Sequence, residues 1–199
     1  MVVCTTCGWL AIRSGTWPND YGTLWVSTNA IDGSHPLWSY KVDLTQLNNG
    51  QAAFLTSPRQ VFLVDQDNNP VTDMYTMQGG VFNESGSLLY TSNGYCDTPA
   101  WIHVYAISDT GGRLQARSTN PAGSGSAPFS FEQHWVQQSC VDLIFAQFWC
   151  FCTGEEPEGI DYFDVTGRNV PGVPEGRLHA ILLSNDAGDD HVWLKHYTY

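Results

Sequence analysis

A pattern that occurs three times along the chain limits its fold more than any other feature of the sequence. In each copy, a turn glycine precedes an apolar segment that ends in Ser or Thr and Asn. A polar loop of variable length then leads to a second apolar segment with an aromatic residue. The copies are residues 22–42, 86–107 and 176–197. Short apolar segments joined by polar turns are typical of β-hairpins, so the sequence predicts a fold built from repeated hairpins.

The remainder of the chain indicates an all-β fold. Short segments rich in Val, Ile, Tyr, Trp and Thr alternate with clusters of Gly, Asn, Asp, Ser and Pro, and helical periodicity is nearly absent. Each repeat has the pattern of the inner hairpin of a propeller blade. At about 45 residues per blade, we expect a small or incomplete β-propeller of about four to five antiparallel blades. An incomplete ring would leave sheet edges open, and a homodimer through those edges is expected.

The length predicts a single propeller-like domain over residues 1–199. A degenerate unit between the first two repeats is expected at residues 60–65, with a turn at 67–70 that leads to residues 77–82. The Gly/Ser/Ala stretch at residues 121–128 predicts a flexible loop. The Cys- and Trp-rich segment at residues 129–152 has no assigned structure.

The charge of the chain excludes two classes of partner. Eight Lys and Arg residues stand against 20 Asp and Glu residues, which gives a net charge of -12. A phosphate backbone or an anionic bilayer would be repelled, and no apolar run approaches the roughly 18 residues of a spanning helix. Nucleic acid and membrane are therefore not expected as partners, whereas divalent cations, small molecules and glycans remain compatible with the composition.

The six cysteines leave three interpretations open. They can form disulfides, they can be buried free thiols, or Cys4, Cys7, Cys150 and Cys152 can hold zinc. Disulfides are favoured, because a Cys-x-Cys pair is not the usual second half of a zinc knuckle. Disulfides predict an extracellular or periplasmic protein, although the first residues show no signal-peptide pattern.

Two segments carry a resemblance to known families. Residues 79–90, followed by Ile102-His103-Val104-Tyr105, resemble the blade pattern of the YncE-like and lactonase-like β-propeller superfamily. Residues 156–161, Glu-Pro-Glu-Gly-Ile-Asp, resemble the blade-opening signature of SMP-30/gluconolactonase-like and NHL-type propellers. The resemblance covers about half of the chain and implies a propeller architecture, on which many different activities occur.

The resemblance also implies a metal site. Metal-dependent lactonase-like proteins hold calcium or a similar ion with Glu, Asn and Asp residues from different blades, and the ion polarises a carbonyl or activates water. Carried over by position, the ligands in this chain would be Glu158, Asn93, and Asn185 or Asp186. Calcium or another divalent cation is accordingly the expected cofactor.

Two acidic segments are also candidates for independent calcium loops. Asp65, Asp67 and Asn69 place oxygen donors on alternate residues, but Pro70 replaces the glycine of a calcium loop and no closing Glu follows. An Asx-rich turn is therefore favoured there. Residues 185–191 are denser in carboxylates, and a solvated hairpin loop is favoured over a calcium site.

The expected catalytic residues are His103, His179 and Glu158. Both histidines lie in strand patterns where a side chain can point into a channel and act as a general base. Glu158 belongs to an acidic cluster with Glu155, Glu156 and Asp161, in which one carboxyl group can work as acid or base beside an ionised neighbour. Solvated charges and structural histidines are the competing interpretation.

Eight tryptophans supply candidate stacking surfaces, although packing between sheets is the more common role of such residues. Those expected on loops and blade edges, and hence in substrate binding, are Trp25, Trp38, Trp101 and Trp193. Two functions follow. The first is a secreted-type, divalent-metal-dependent propeller hydrolase of the lactonase or ester-cleaving kind. The alternative is a non-catalytic propeller binding module for glycans or a protein partner.

Overall fold

A computed structural model of the chain describes residues 7–13, 22–28, 30–31, 37–51, 54–71, 74–75, 77–93, 101–110, 113–118, 155–163, 178–186 and 189–197. In these residues the protein is almost entirely β-structure, as the sequence predicts. The strands are β1 (Cys7–Arg13), β2 (Thr23–Thr28), β3 (Ala30–Ile31), β4 (Leu37–Val42), β5 (Leu55–Val64), β6 (Met74–Tyr75), β7 (Met77–Phe82), β8 (Leu88–Asn93), β9 (Trp101–Thr110), β10 (Arg113–Ser118), β11 (Glu155–Tyr162), β12 (Leu178–Asp186) and β13 (Asp189–Tyr197).

Most strands belong to three antiparallel meanders. The first meander contains β1, β2, β4 and β5, the second contains β7 to β10, and the third contains β11 to β13. The three repeated sequence units form the second and third strands of each meander: β2 with β4, β8 with β9, and β12 with β13. The predicted hairpins are therefore confirmed, and they occupy equivalent positions. The short strands β3 and β6 pair separately.

The first two meanders join into one eight-stranded sheet. Their last strands, β5 and β10, pair in parallel, while their first strands, β1 and β7, lie in contact. The sheet is consequently mixed and nearly closed into a barrel. This differs from the expected set of separate four-stranded blades, in which the last strands of neighbouring blades diverge. The described strands also make three meanders, fewer than the four to five expected.

Residues 60–65 and 77–82 do not form a unit of their own. The first segment belongs to β5, the last strand of the first meander, and the second is β7, the first strand of the second meander. The turn predicted between them is an Asx turn, as favoured. One carboxylate oxygen of Asp65 accepts the backbone N–H groups of Asp67 and Asn69, and the other accepts the Asn69 amide. These hydrogen bonds, that of the Asn69 amide above all, hold the pKa of Asp65 below its ordinary value.

The interior of the barrel is a hydrophobic core, which we call the first core. Alternate residues of the first two meanders point into it, because successive side chains of a strand face opposite sides of a sheet. Its members include Trp9, Ala11, Trp25, Leu37, Val61, Leu63, Met77, Phe82, Leu89, Tyr105, Leu114 and Ala116. A second core lies between the second and third meanders and contains Tyr90, Ile102, Val104, Leu178 and Ala180. The second meander is thus covered on both faces.

The sequence does not predict the one short helix found among the described residues. Residues Leu44–Asn48 form α1, a single turn and a half after β4. Asp43 caps it, since its side chain accepts the backbone N–H of Gln46 at 3.1 Å. No helix in the described part of the chain is long and apolar enough to cross a bilayer. The loop predicted at residues 121–128, the segment at 129–152 and the side chains of all six cysteines lie outside the described residues.

Candidate functional site

Two residues that the sequence singles out, Asn93 and His103, meet in the second meander. Asn93 is the last residue of β8, and His103 lies on β9 beside Thr91. His103 lies two residues after the residue that is opposite Asn93, and residues two apart on a strand share a face. Asn93 and His103 are therefore diagonal neighbours on the side of the first core. Oδ1 of Asn93 lies 2.8 Å from Nε2 of His103, and Asn93 is only 8% exposed.

This contact fixes the chemistry of the imidazole. A carbonyl oxygen only accepts hydrogen bonds, so Nε2 of His103 carries a proton and donates a hydrogen bond to Oδ1 of Asn93. If His103 acts as a base, Nδ1 is the nitrogen that takes the proton. The ring also stacks beside Tyr105, with centroids 6.3 Å apart and planes inclined by 27°. The histidine is thus held from two sides.

Buried polar groups surround the pair. The backbone register aligns Gly80, Thr91 and His103 across three strands, and the indole of Trp9 lies against Gly80. Within the described part of the chain, Nε1 of Trp9 and the hydroxyl of Thr91 are buried on this side of the sheet and have no hydrogen-bond partner. Buried polar groups of this kind are normally satisfied by protein or water. These polar groups lie inside the barrel, and we call them together with Asn93 and His103 the polar layer.

The residues of this layer do not fit a hard divalent cation. Calcium requires several oxygen ligands, usually with carboxylates among them. Of the four expected ligands, only Asn93 has a described side chain, and its oxygen accepts from His103. Among the described residues, no group of three His, Cys, Asp or Glu side chains is placed to hold a metal ion. The described residues of the polar layer therefore form a hydrogen-bonding environment for His103.

The structure does not bring His179 to His103. His179 lies on β12, between Leu178 and Ala180, whose side chains point into the second core. Its own side chain therefore faces away from the second meander. Nε2 of His179 lies 2.8 Å from the backbone oxygen of Phe163. The two histidines stand on different sheets and on opposed faces, so they cannot serve one reaction centre.

Glu158, Asn185 and Asp186 are placed only through their backbones. Glu158 is the extra residue at a register shift of β11 between Pro157 and Gly159. Asn185 and Asp186 end β12, opposite Asp190 and Asp189 of β13. The side chains of all three expected ligands lie outside the described residues. Their predicted roles stay predictions.

The four tryptophans differ in position. Trp25 points into the first core and is fully buried, with Phe82 edge-to-face at 5.0 Å. Its Nε1 donates to Oγ1 of Thr23 at 2.8 Å. No face of Trp25 is left for a ligand, so it belongs to the core and not to a binding surface. Trp38 is half-buried on the opposite side of the sheet, whereas the side chains of Trp101 and Trp193 lie outside the described residues.

Trp38 belongs to a surface that we call the outer face of the first meander. It consists of the side chains that alternate with those of the first core, and the register aligns them in two rows. One row runs Leu10, Val26, Trp38, Gln60, and the other runs Ile12, Leu24, Tyr40. Phe62 on β5 lies next to the first row, on the side away from the second row.

The outer face is apolar and open to solvent along β1. Leu10 is 59% exposed and Ile12 is 65% exposed, whereas Trp38 and Tyr40 are half-buried. Among the side chains of this face that the structure describes, none is charged. A contiguous apolar surface on a soluble protein commonly marks an interaction site.

Charged groups instead join the first two meanders at the margin of the sheet. Arg59 forms a bidentate pair with Asp109, at 2.7 and 3.1 Å, and Nε of Arg13 donates to the backbone oxygen of Gly86 at 2.7 Å. The hydrogen bond from Arg59 lowers the pKa of Asp109, and the same bond raises the pKa of Arg59. The charges therefore stabilise the sheet and leave the outer face neutral.

Sequence reasoning missed Leu10, Ile12 and Tyr40 as candidate binding residues. The signal was present in residues 9–12, Trp-Leu-Ala-Ile, where apolar residues occupy both faces of a strand. Such a run indicates a strand that is covered on both sides or that presents one apolar face to a partner. Comparison of the chain with protein-family models, curated proteins and solved structures found no match.

Proposed function

We propose that this protein is a non-catalytic binding module whose partner is another protein, docked on the outer face of the first meander. The observation that carries the proposal is the neutral apolar surface around Leu10, Ile12 and Trp38, open along β1. Covering such a surface contributes roughly 25 cal/mol for each Å² of apolar area removed from water. The proposal develops the alternative function that the sequence suggests.

The composition of the outer face supports a protein ligand over a glycan. Centres of protein interfaces are depleted of charge and enriched in Tyr and Trp, and such residues supply most of the binding energy. Trp38 and Tyr40 lie side by side in the middle of this face, flanked by aliphatic side chains. Glycan sites need several polar groups to bind hydroxyls, and Gln60 alone offers an amide among the described residues of this face.

The test begins with partners captured by the immobilised chain, each then purified and titrated against it by calorimetry. Ile12→Lys and Trp38→Ala are expected to weaken binding about tenfold or more, because Trp38→Ala removes an aromatic contact from the middle of the interface and Ile12→Lys places a charge on its apolar surface. Ile181→Lys is the matched control, since Ile181 is an exposed aliphatic residue of the third meander, 44% exposed. It is expected to bind with the wild-type affinity.

Two results would overturn the proposal. One is unchanged affinity in both Ile12→Lys and Trp38→Ala. The other is binding of neutral oligosaccharides, measured with the same calorimetry, that is lost in Trp38→Ala while no purified protein binds. Ile12 is mostly exposed, so Ile12→Lys is expected to fold, and circular dichroism checks that both variants keep the β-sheet.

A second candidate is the hydrolase of the lactonase or ester-cleaving kind. The contact between Asn93 and His103 favours it, because an asparagine oxygen orients the imidazole as a base would need. A panel of lactones and esters is the substrate set. His103→Gln should abolish turnover and His179→Gln should not. Equal activity of wild type and His103→Gln would remove this candidate.

We also propose that the three meanders are blade-type units of an incomplete propeller. Support comes from the strand order, which is sequential in every meander, and from the contacts among the first strands, β1 with β7 and β7 with β11. The hydrogen bonds between β5 and β10 count against separate blades. An experimental structure in which those strands are apart would support the propeller, and one in which they stay paired would support a barrel.

A further inference from the structure

Among the residues that the structure describes, the third meander ends in an open edge. In the first two meanders the last strands, β5 and β10, pair with each other, and the first strands, β1 and β7, lie in contact. The third meander has three strands, and within the described residues β13 pairs only with β12. β13 is also long, with nine residues from Asp189 to Tyr197.

An edge strand of this length is a ready template for another strand. The backbone N–H and C=O groups on the side of β13 away from β12 have the geometry to pair with a strand of a neighbouring chain. Val192 and Leu194 lie 70% and 60% exposed on β13, and Leu194 pairs across to Ile181, which is 44% exposed. The third meander thus presents an apolar face that reaches up to its open edge.

The charges of β13 select the direction in which it would pair with itself. Asp189 and Asp190 stand at its beginning, followed by His191, and Lys195 stands near its end, followed by His196. With histidine neutral, the beginning is acidic and the end is basic. Parallel pairing of two such strands places like charges side by side, which is destabilising. Antiparallel pairing places the acidic end of each copy beside the basic end of the other.

Symmetry restricts the possible registers. A two-fold axis between two antiparallel edge strands stands perpendicular to the sheet, and rotation about it keeps each residue on the same face. Directly opposed residues also share a face, and faces alternate along a strand. The numbers of two opposed residues are therefore both odd or both even. In one allowed register Asp189 lies opposite the partner subunit's Lys195, and in the next Asp190 lies opposite the partner subunit's His196. Each register forms its pair twice, once on each side of the axis. The pair of Asp189 with Lys195 is opposite in charge, and the pair of Asp190 with His196 joins a hydrogen-bond acceptor to a possible donor.

We propose that β13 pairs antiparallel with β13 of a second copy of this chain, which joins two third meanders into one six-stranded sheet. The backbone hydrogen bonds of the edge supply the affinity, and the charge pattern fixes the direction. The apolar face formed by Ile181, Val192 and Leu194 becomes continuous across the two copies. This interface is separate from the outer face of the first meander.

Two complementary variants test the proposal by sedimentation velocity over a range of concentrations. Lys195→Glu with His196→Glu makes β13 acidic at both ends, and Asp189→Lys with Asp190→Lys makes it basic at both ends. The wild type is expected to dimerise, and each double variant alone to stay monomeric. An equimolar mixture of the two variants is expected to form a heterodimer, because the acidic strand then faces the basic one.

Ile181→Lys separates edge pairing from face packing, because Ile181 lies on the central strand β12. It is expected to leave the dimer intact. The proposal is overturned if the wild type is monomeric up to about 100 μM, which includes the case in which another segment of the same chain covers the edge. It is also overturned if the two charge variants dimerise alone, if their mixture stays monomeric, or if Ile181→Lys disrupts the dimer. Heterodimer formation itself shows that both variants fold.

Discussion

The first and second meanders have the same strand order but different surroundings. The second meander packs against the first core on one face and against the third meander on the other. The first meander shares the first core, yet its outer face remains partly exposed, with Ile12 at 65%. Both outer faces are apolar, since Tyr90, Ile102 and Val104 stand on one and Leu10, Val26 and Trp38 on the other. The apolar composition of a sheet face therefore does not decide whether the chain itself covers that face.

The outer face of the second meander has a layer of packed residues that the outer face of the first meander lacks among the described residues. On the second meander, Tyr90 is 1% exposed and stacks on Tyr162 of the third meander, with ring centroids 5.9 Å apart. β7 approaches β11 so closely that Gly79 leaves no room for a side chain. The outer face of the first meander has a comparable set of residues without such a layer in the described part of the chain. A docking partner would supply that layer.

The largest expected difference lies between Tyr90→Ala and Trp38→Ala. Tyr90→Ala empties a fully buried site in the second core and should lower the free energy of unfolding by about 3 to 5 kcal/mol. Trp38→Ala removes a half-buried ring that faces solvent and should cost at most about 1 kcal/mol. Urea denaturation followed by circular dichroism measures both. Similar losses for the two variants would mean that the two outer faces are equally covered.

Substitution of Gly79 tests the close packing between the second and third meanders. A Cβ on Gly79 would lie 2.7 Å from Cγ2 of Ile160 and 2.8 Å from the hydroxyl of Ser92. Gly79→Ala should therefore lower the free energy of unfolding by about 1 to 3 kcal/mol through overpacking. Gly159→Ala is the control, since nothing lies within 4 Å of the Cβ that it adds. Equal stability of the two variants would show that β11 does not pack on β7.

The polar layer should show a smaller effect. The hydrogen bond between Asn93 and His103 is expected to contribute a coupling energy of about 0.5 to 1.5 kcal/mol to the free energy of unfolding. A double-mutant cycle with Asn93→Ala, His103→Ala and the double variant isolates this term from the effects of the single substitutions. A coupling energy near zero would mean that the two side chains are not held together in solution.

The smallest effect is expected in the turn after β5. The folded state lowers the pKa of Asp65, so this carboxylate stabilises the protein at pH values above its ordinary pKa of about 3.9. The contribution disappears as the pH falls through the lowered value of the folded state. Asp65→Asn should thus be less stable than wild type near pH 7 and approach it in acid. A stability difference that stays constant down to pH 2 would contradict the assignment, and Asp67→Asn controls for the loss of charge in the same turn.

The sequence is informative about hairpins because their signals are local. The glycines before residues 23–28, 88–93 and 178–186 and the alternation within these segments predict strands with no knowledge of the remaining fold. The Asx turn at Asp65 is equally local. The joining of β5 to β10 is not, since it pairs residues about 50 positions apart in parallel and leaves no short-range pattern.

The candidate site is predictable only in part for the same reason. The sequence singles out Asn93 and His103, but it does not show that they bond to each other, because that depends on the register of β8 against β9. Trp25 and Trp38 have similar contexts in the sequence. Trp25 is buried and Trp38 is partly exposed because tertiary packing turns one face of the first meander, and not the other, towards the second meander.

Hydroxyl-radical footprinting of the protein, diluted until it is monomeric, shows directly whether the outer face of the first meander is uncovered. It measures the solvent accessibility of individual side chains in solution. The account predicts rapid oxidation of Leu10, Ile12 and Trp38 on the first meander and protection of Tyr90 on the second. Protection of all four residues in the monomer would mean that the chain covers its own outer face, and it would contradict the proposed docking surface.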